Sequence, residues 1–168
     1  MGRVTRHQYI LPYWGSAEIG CRTIIVTPFM KNGNLANWIW CVQPKNFTRL
    51  YTYRGTVKLA QLAEAIYYLH SSLSVVHGDL KPENILVSNQ DTVLLTDFGL
   101  CSSAIKGEAD VEMALELSGS LSTNRYLYTA PFAAPELLLN DQPAKTTQSD
   151  VFAFGTIIIH VSLEPLGG

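Results

Sequence analysis

The chain has 168 residues, 47% of them hydrophobic, and a formal net charge of −2. That is the length of one domain with enough apolar side chain for a real core, and its bulk charge draws it to neither nucleic acid nor an anionic membrane. Its three cysteines, Cys21, Cys41 and Cys101, are odd in number and widely spaced, which excludes a C-x-x-C metal pair or a small disulfide framework and points to reduced, partly buried thiols.

Residues 1–10 lack the apolar core of a signal peptide. Gly2 invites N-myristoylation, but Arg6 stands where the pattern needs Ser or Thr. Two β-prone runs, 11–15 and 23–27, flank 16–21 and predict a hairpin. The turn Lys31-Asn32-Gly33-Asn34 follows, with Asn34 placed to cap a short helix through Leu35, Trp38 and Ile39. Asn46-Phe47-Thr48 is a formal glycosylation sequon, idle without a secretory signal. The clearest helix is 56–72, with Thr56 as N-cap and Leu59, Leu62, Ala63, Ile66 and Leu69 at spacings of three and four.

Past this helix, 85–88 and 92–96 read as brief strands joined by the turn residues Asn89-Gln90-Asp91. From 100 to 128 periodicity gives way to Ser, Gly and acidic residues, the composition of a surface loop. Within it Ser118, Ser120, Ser122 and Thr123 are candidate phosphosites. Ala134-Pro135-Glu136 opens a short helix with Pro at its first turn. A last element, about 149–160, has the period of a helix, although Ile157-Ile158-Ile159 suits a strand equally by local propensity. The apolar run 151–163 is too short to span a bilayer and contains His160. A soluble, intracellular, cytoplasmic protein is the expectation.

Between the helix and the two strands stands His77-Gly78-Asp79-Leu80-Lys81-Pro82-Glu83-Asn84, and Asp97-Phe98-Gly99 follows. A carboxylate, an ammonium and an amide lie within six residues, and a second carboxylate comes thirteen residues later. This is the inventory needed to hold the magnesium of a nucleoside triphosphate while deprotonating an incoming hydroxyl. Five specified residues match by chance on the order of 10⁻⁷ per start position.

These motifs, in this order, resemble a eukaryotic-type protein kinase domain. The resemblance implies an α+β fold: a mostly helical large lobe (C-lobe) with a remnant of the small lobe's fourth and fifth strands (N-lobe). It divides the partial domain, 1–168, into the N-lobe remnant and hinge at 7–30 and a C-lobe at 31–168 that is incomplete at its C-terminus. Thr27-Pro28-Phe29-Met30 looks like gatekeeper and hinge, with the Met30 backbone at the adenine edge and Leu86 beneath the ring. Asp79 would accept or orient the proton of the substrate hydroxyl, and Lys81 would neutralise the transferring phosphoryl group. Asn84 and Asp97 would ligate Mg²⁺ through hard oxygens. Thr129 matches the hydroxyl that Ser/Thr kinases set beside that Asp and Lys, and Lys81 itself fits a Ser/Thr enzyme better than a tyrosine kinase. Asp150 would fasten the catalytic loop, His77 would pack under the Asp-Phe-Gly segment, and Tyr13, Phe98 and His77 resemble members of a hydrophobic spine. ATP and Mg²⁺ as cofactors and a protein substrate follow, with no nucleic acid or membrane partner.

Two departures qualify the resemblance. Gly78 stands where most kinases carry Arg, so no guanidinium is present to receive an activation-loop phosphate, and constitutive activity or another mode of control is expected. No G-x-G-x-x-G loop occurs, and no strand lysine or helix glutamate precedes His7. A non-catalytic kinase-like interaction module, with a partner covering the incomplete lobe interface, or a truncated gene product, is therefore the alternative expectation.

Overall fold

Extended runs with a Gly-Cys turn between them form the first feature of the computed structural model, which describes residues 7–41, 49–103, 129–139 and 144–163. Strands β1 (Gly15–Ile19) and β2 (Arg22–Val26) pair antiparallel, Gly15 facing Val26 and Ile19 facing Arg22. The hairpin is present, but its first strand begins at Gly15 instead of spanning 11–15, and Gly20 at φ 63° makes the turn. Residues 9–11 do something else: Leu95 N–H donates to the Tyr9 carbonyl and Leu11 N–H to that of Leu95, both at 2.9 Å. They line the edge of a second hairpin, so Ile10 is buried there.

That second hairpin is β4 (Ile85–Val87) against β5 (Val93–Leu95), with Ile85 opposite Leu95. Its turn holds because Ser88 Oγ accepts from the N–H groups of Gln90 and Thr92, each at 3.2 Å. Asp91 takes the left-handed conformation (φ 64°), which Asp tolerates better than most residues. The two-residue strand β3 (Val75–Val76) pairs with β6 (Ser102–Ser103).

Helix α1 (Leu35–Cys41) starts as expected, with Asn34 Oδ1 accepting from Asn37 N–H at 2.9 Å. Helix α2 runs Arg49–Ser72, so Thr56 lies inside it and is not its N-cap. It continues through Gly55 because α2 packs closely on the last helix there: a Cβ at Gly55 would sit 3.3 Å from Val161 Cγ1. Helix α3 (Pro135–Leu139) begins on its proline. Helix α4 (Thr147–Leu163) settles the strand-or-helix ambiguity in favour of helix. A reciprocal cap starts it: Thr146 N–H donates to Ser149 Oγ at 3.0 Å and Ser149 N–H to Thr146 Oγ1 at 3.2 Å. Ala153, Ile157 and Val161, four apart, all face the core, while Ile159, which a strand would place on the same face as Ile157 and Val161, is 57% exposed.

The core joins Leu62, Ile66 and Leu69 of α2 to these α4 residues and to Ile85, Val87, Val93 and Leu95 of the β4–β5 hairpin. One buried cation interrupts it. Lys58, 1% exposed, lies 4.5 Å above the Trp38 ring and bonds the Asp91 carboxylate and carbonyl at 2.6 and 2.8 Å. This ties α2 to the β4–β5 turn. No described helix is long and apolar enough to cross a membrane. Cys21 is exposed, contrary to the expectation of partial burial, because it sits on the β1–β2 turn; Cys101 is half-buried, and its thiol is pushed up by burial and by Asp150 and Asp97. The expected sequon and nearly all of the expected 100–128 loop, with its candidate phosphosites, lie outside the described residues.

Candidate active site

The loop that begins at His77 is positioned by a carboxylate far away in sequence. Asp150, in the first turn of α4 and 2% exposed, accepts from His77 N–H through Oδ2 at 2.8 Å and from Gly78 N–H through Oδ1 at 2.9 Å. The expectation that Asp150 fastens this loop is what the geometry shows. His70 Nε2 adds a third contact to this carboxylate, at Oδ2, 2.8 Å away. Nothing in the sequence signalled it, since the two residues are 80 apart.

His77 is fully buried. Its Nε2 lies 3.0 Å from the Thr96 carbonyl, and its Nδ1 accepts from Asp79 N–H at 3.3 Å. A carbonyl demands a donor and an amide an acceptor, so the ring is neutral with its proton on Nε2. Burial holds its pKa below the ordinary value, against the opposing pull of Asp150, Thr96, Asp79 and Asp97. The ring centroid stands 5.3 Å from that of Phe98. This is the packing expected beneath Asp-Phe-Gly. Tyr13, 38% exposed, stands apart from the pair, since the 13–14 segment turns toward the β1–β2 hairpin through the bond from Trp14 N–H to Val26 O.

Four of the predicted side chains converge. Asp79 Oδ1 accepts from Thr129 Oγ1 at 2.8 Å, while Oδ2 receives Lys81 Nζ at 2.7 Å and Asn84 Nδ2 at 3.1 Å. Lys81 Nζ also donates to Thr129 Oγ1 at 2.9 Å. Burial works to raise the Asp79 pKa, but the hydrogen bonds from Lys81 and Thr129, the Lys81 charge and Asn84 outweigh it, so the carboxyl lies below its ordinary range. Pro82–Asn84 forms a 3₁₀ turn whose proline starts it, and this swings Asn84 back over Asp79: its Nδ2 also donates to the Asp79 carbonyl at 2.8 Å.

Asp97 is carried to the same region by the backbone. Thr96 N–H donates to the Asn84 carbonyl at 3.0 Å, fixing the residue before it. Asp97 then adopts φ 61°, ψ 69°, and its Oδ1 accepts from Gly99 N–H at 3.4 Å. It is exposed and makes none of the hydrogen bonds of the Asp79 group. Left-handed backbone in a non-glycine residue costs energy and recurs where a carboxylate must be aimed. Met30 and Leu86 are brought near each other by the Met30–Gly33 turn. Gly33 N–H donates to Met30 O at 3.1 Å, Val87 N–H donates to Gly33 O at 2.8 Å, and Asn34 bridges Leu86. Both residues are half-buried.

The donor set suits magnesium. Asn84 spends its amide N–H₂ on Asp79, which turns its oxygen away from that carboxylate, and Asp97 offers a second hard oxygen ligand. Among the described residues no group of three or more His, Cys, Asp or Glu is set to hold a metal ion alone. Two protein oxygens with the rest supplied by phosphate and water is the arrangement magnesium accepts.

A family model for the protein kinase domain matches residues 1–165. The chain belongs to the protein kinase family. Its fold is the α+β fold of that family, seen here as a mostly helical lobe with few strands. This kinase chain is 30% identical over 159 residues to receptor-like kinase TMK4 of Arabidopsis thaliana, covering 93% of the chain and 16% of that protein. It is 30% identical over 155 residues to MAP3K epsilon protein kinase 1 of Brassica napus, covering 92% of the chain and 10% of the relative. It is 31% identical over 148 residues to the probable serine/threonine-protein kinase samkB of Dictyostelium discoideum, covering 86% and 23%. The chain thus spans less than a quarter of the length of each of these relatives.

Proposed function

We propose that the site serves ATP-dependent phosphorylation of Ser or Thr hydroxyls on a protein substrate. The observation that carries this reading is the hydrogen-bonded group of Asp79, Lys81, Asn84 and Thr129 with Asp97 delivered beside it by the Asn84–Thr96 backbone bond. Kinship with the kinases named above supports the same reaction class.

Bound Mg²⁺·ATP supplies the phosphoryl group and the cation that offsets its charge. Asn84 and Asp97 would hold the metal, and the Met30 backbone and Leu86 would flank the adenine. Asp79 takes the substrate hydroxyl as a hydrogen-bond donor. Its lowered pKa makes it a weak base, so it orients the hydroxyl and receives the proton only as the phosphorus–oxygen bond forms. Lys81, already salt-bridged to Asp79, lies at the edge where negative charge gathers on the transferring group. The substrate side is a small cleft lined by Gly78, Asp79, Thr129, Phe132 and Leu137. In this reading residues 7–30 are the small-lobe remnant and hinge, and residues 31–168 are large lobe.

The test is transfer of labelled phosphate from Mg²⁺·ATP to a generic Ser/Thr substrate, beside an Asp79→Asn control. Transfer that Asp79→Asn abolishes supports the proposal; equal signal from both removes it.

A second reading has one observation of its own. Trp14, Ile19, Ile24 and Ile25 of the first hairpin region are all exposed, Trp14 by 69%. Ile19 and Ile24 share one face of the hairpin and Ile25 lies on the other, and such exposed apolar residues fit a kinase-like module that docks a protein partner without transferring phosphate. Micromolar or tighter binding of Mg²⁺·ATP would argue against it.

A further inference from the structure

Gly78 lies in the left-handed region at φ 77°, and the space a side chain would fill there is taken. A Cβ on Gly78 would stand 2.6 Å from Lys145 Cδ, 3.3 Å from Lys145 Nζ and 2.9 Å from the Leu100 carbonyl oxygen. Real Cβ atoms do not approach backbone oxygen or methylene carbon so closely, so any larger residue at 78 must expel the lysine. Lys145 comes from the segment just before α4, a part of the chain to which the sequence motifs gave no role. It is half-buried, and the Gly78 amide beside it is the one bonded to Asp150.

We propose that Lys145 is a positioning residue for the catalytic loop: its ammonium enters the space left open at Gly78 and serves as the electrostatic partner of Asp79 and Asp150. Chemistry favours the assignment. Two carboxylates neighbour Gly78, Asp150 bonded to its N–H and Asp79 next in the chain. Lys81 balances only one of them directly. The titratable groups facing Lys145 are Asp79, Asp150 and the Cys101 thiol, and all three favour its protonated form, whereas burial disfavours it more strongly. The positioning role rests on the phosphotransfer reading above; the charge coupling does not.

The test is an NMR titration of ¹³C-labelled lysine side chains in the full chain, Lys145 being assigned by the signal lost in Lys145→Met. Lys145 is expected to titrate below an ordinary exposed lysine. Its midpoint should fall further in Asp79→Asn, where an attracting charge is gone, and rise toward the ordinary value in Gly78→Ala, where the methyl group expels it. An ordinary midpoint in the wild-type chain, or one indifferent to Asp79→Asn, overturns the proposal; that second variant decides the matter if Gly78→Ala does not fold. In phosphotransfer, Lys145→Met should lower kcat roughly tenfold or more with KM for ATP unchanged, and Lys145→Arg should retain most of the rate. An unchanged kcat in Lys145→Met removes the positioning role. A wild-type chain that transfers no phosphate sinks the phosphotransfer reading and the positioning role with it, and the titration then decides the coupling.

Discussion

Asp150 holds two consecutive backbone amides, those of His77 and Gly78, one on each carboxylate oxygen and both at under 3 Å. This bidentate clamp sets the path of the chain into Asp79. Asp150 itself is 2% exposed, and Asp150→Ala would leave both N–H groups without their acceptor and His70 without its partner. We expect a loss of about 3 kcal/mol in unfolding free energy, read from the urea midpoint. A loss under about 1 kcal/mol would show that water or another acceptor replaces the clamp.

The Lys58–Asp91 pair should respond unequally to loss of either member. Asp91 is about one-third exposed and keeps Arg54, whose NH2 lies 3.0 Å away, when Lys58 becomes Met. Lys58→Met should therefore cost no more than about 1–2 kcal/mol, because a packed apolar chain replaces a buried ion. Asp91→Ala strands the Lys58 ammonium in the core and places Ala at φ 64°, and should cost roughly 3 kcal/mol or more. Urea unfolding of both variants checks the order; the reverse order would contradict it.

His77 links stability to acidity. Its pKa is lowered by burial in the folded chain, so the unfolded chain binds the proton more readily. The stability that comes from keeping it neutral is fully present above its ordinary value of 6.5 and drains away as the pH falls through the folded value. Asp79, also lowered, adds its own loss at more acidic pH, below the ordinary carboxyl value of 3.8. ¹⁵N spectra of the imidazole should show the Nε2–H tautomer and a midpoint below 6.5. A midpoint at or above that value would refute the buried, neutral assignment.

Much of this was legible in the sequence, because each legible element carried local chemistry. Asn34 announced the start of α1, Pro135 that of α3, and Asn89-Gln90-Asp91 the turn between β4 and β5. Three members of the hydrogen-bonded group were legible for a different reason: Asp79, Lys81 and Asn84 sit on one short loop whose spacing alone limits them to one neighbourhood, whereas Thr129, 50 residues from Asp79, was placed by the family resemblance. What escaped depended on contacts made across the chain. The extra turns of α2 before Thr56 rest on packing between Gly55 and Val161. The burial of Lys58 rests on Trp38 and Asp91, and the placement of Lys145 rests on the missing side chain of Gly78. No periodicity encodes contacts of that kind.

We propose that one metal–nucleotide complex binds between Asn84 and Asp97, with its base toward Met30 and Leu86. Adding Mn²⁺·ATP to the isotopically labelled chain measures this through paramagnetic broadening, which falls off steeply with distance from the ion. The account predicts the strongest broadening at the Asn84 side-chain amide and the Asp97 and Gly99 backbone amides, and weaker broadening at the Leu86 and Met30 methyls. It also predicts that Asp97→Asn suppresses the pattern. Uniform weak broadening, or broadening centred elsewhere on the surface and indifferent to Asp97→Asn, would contradict it.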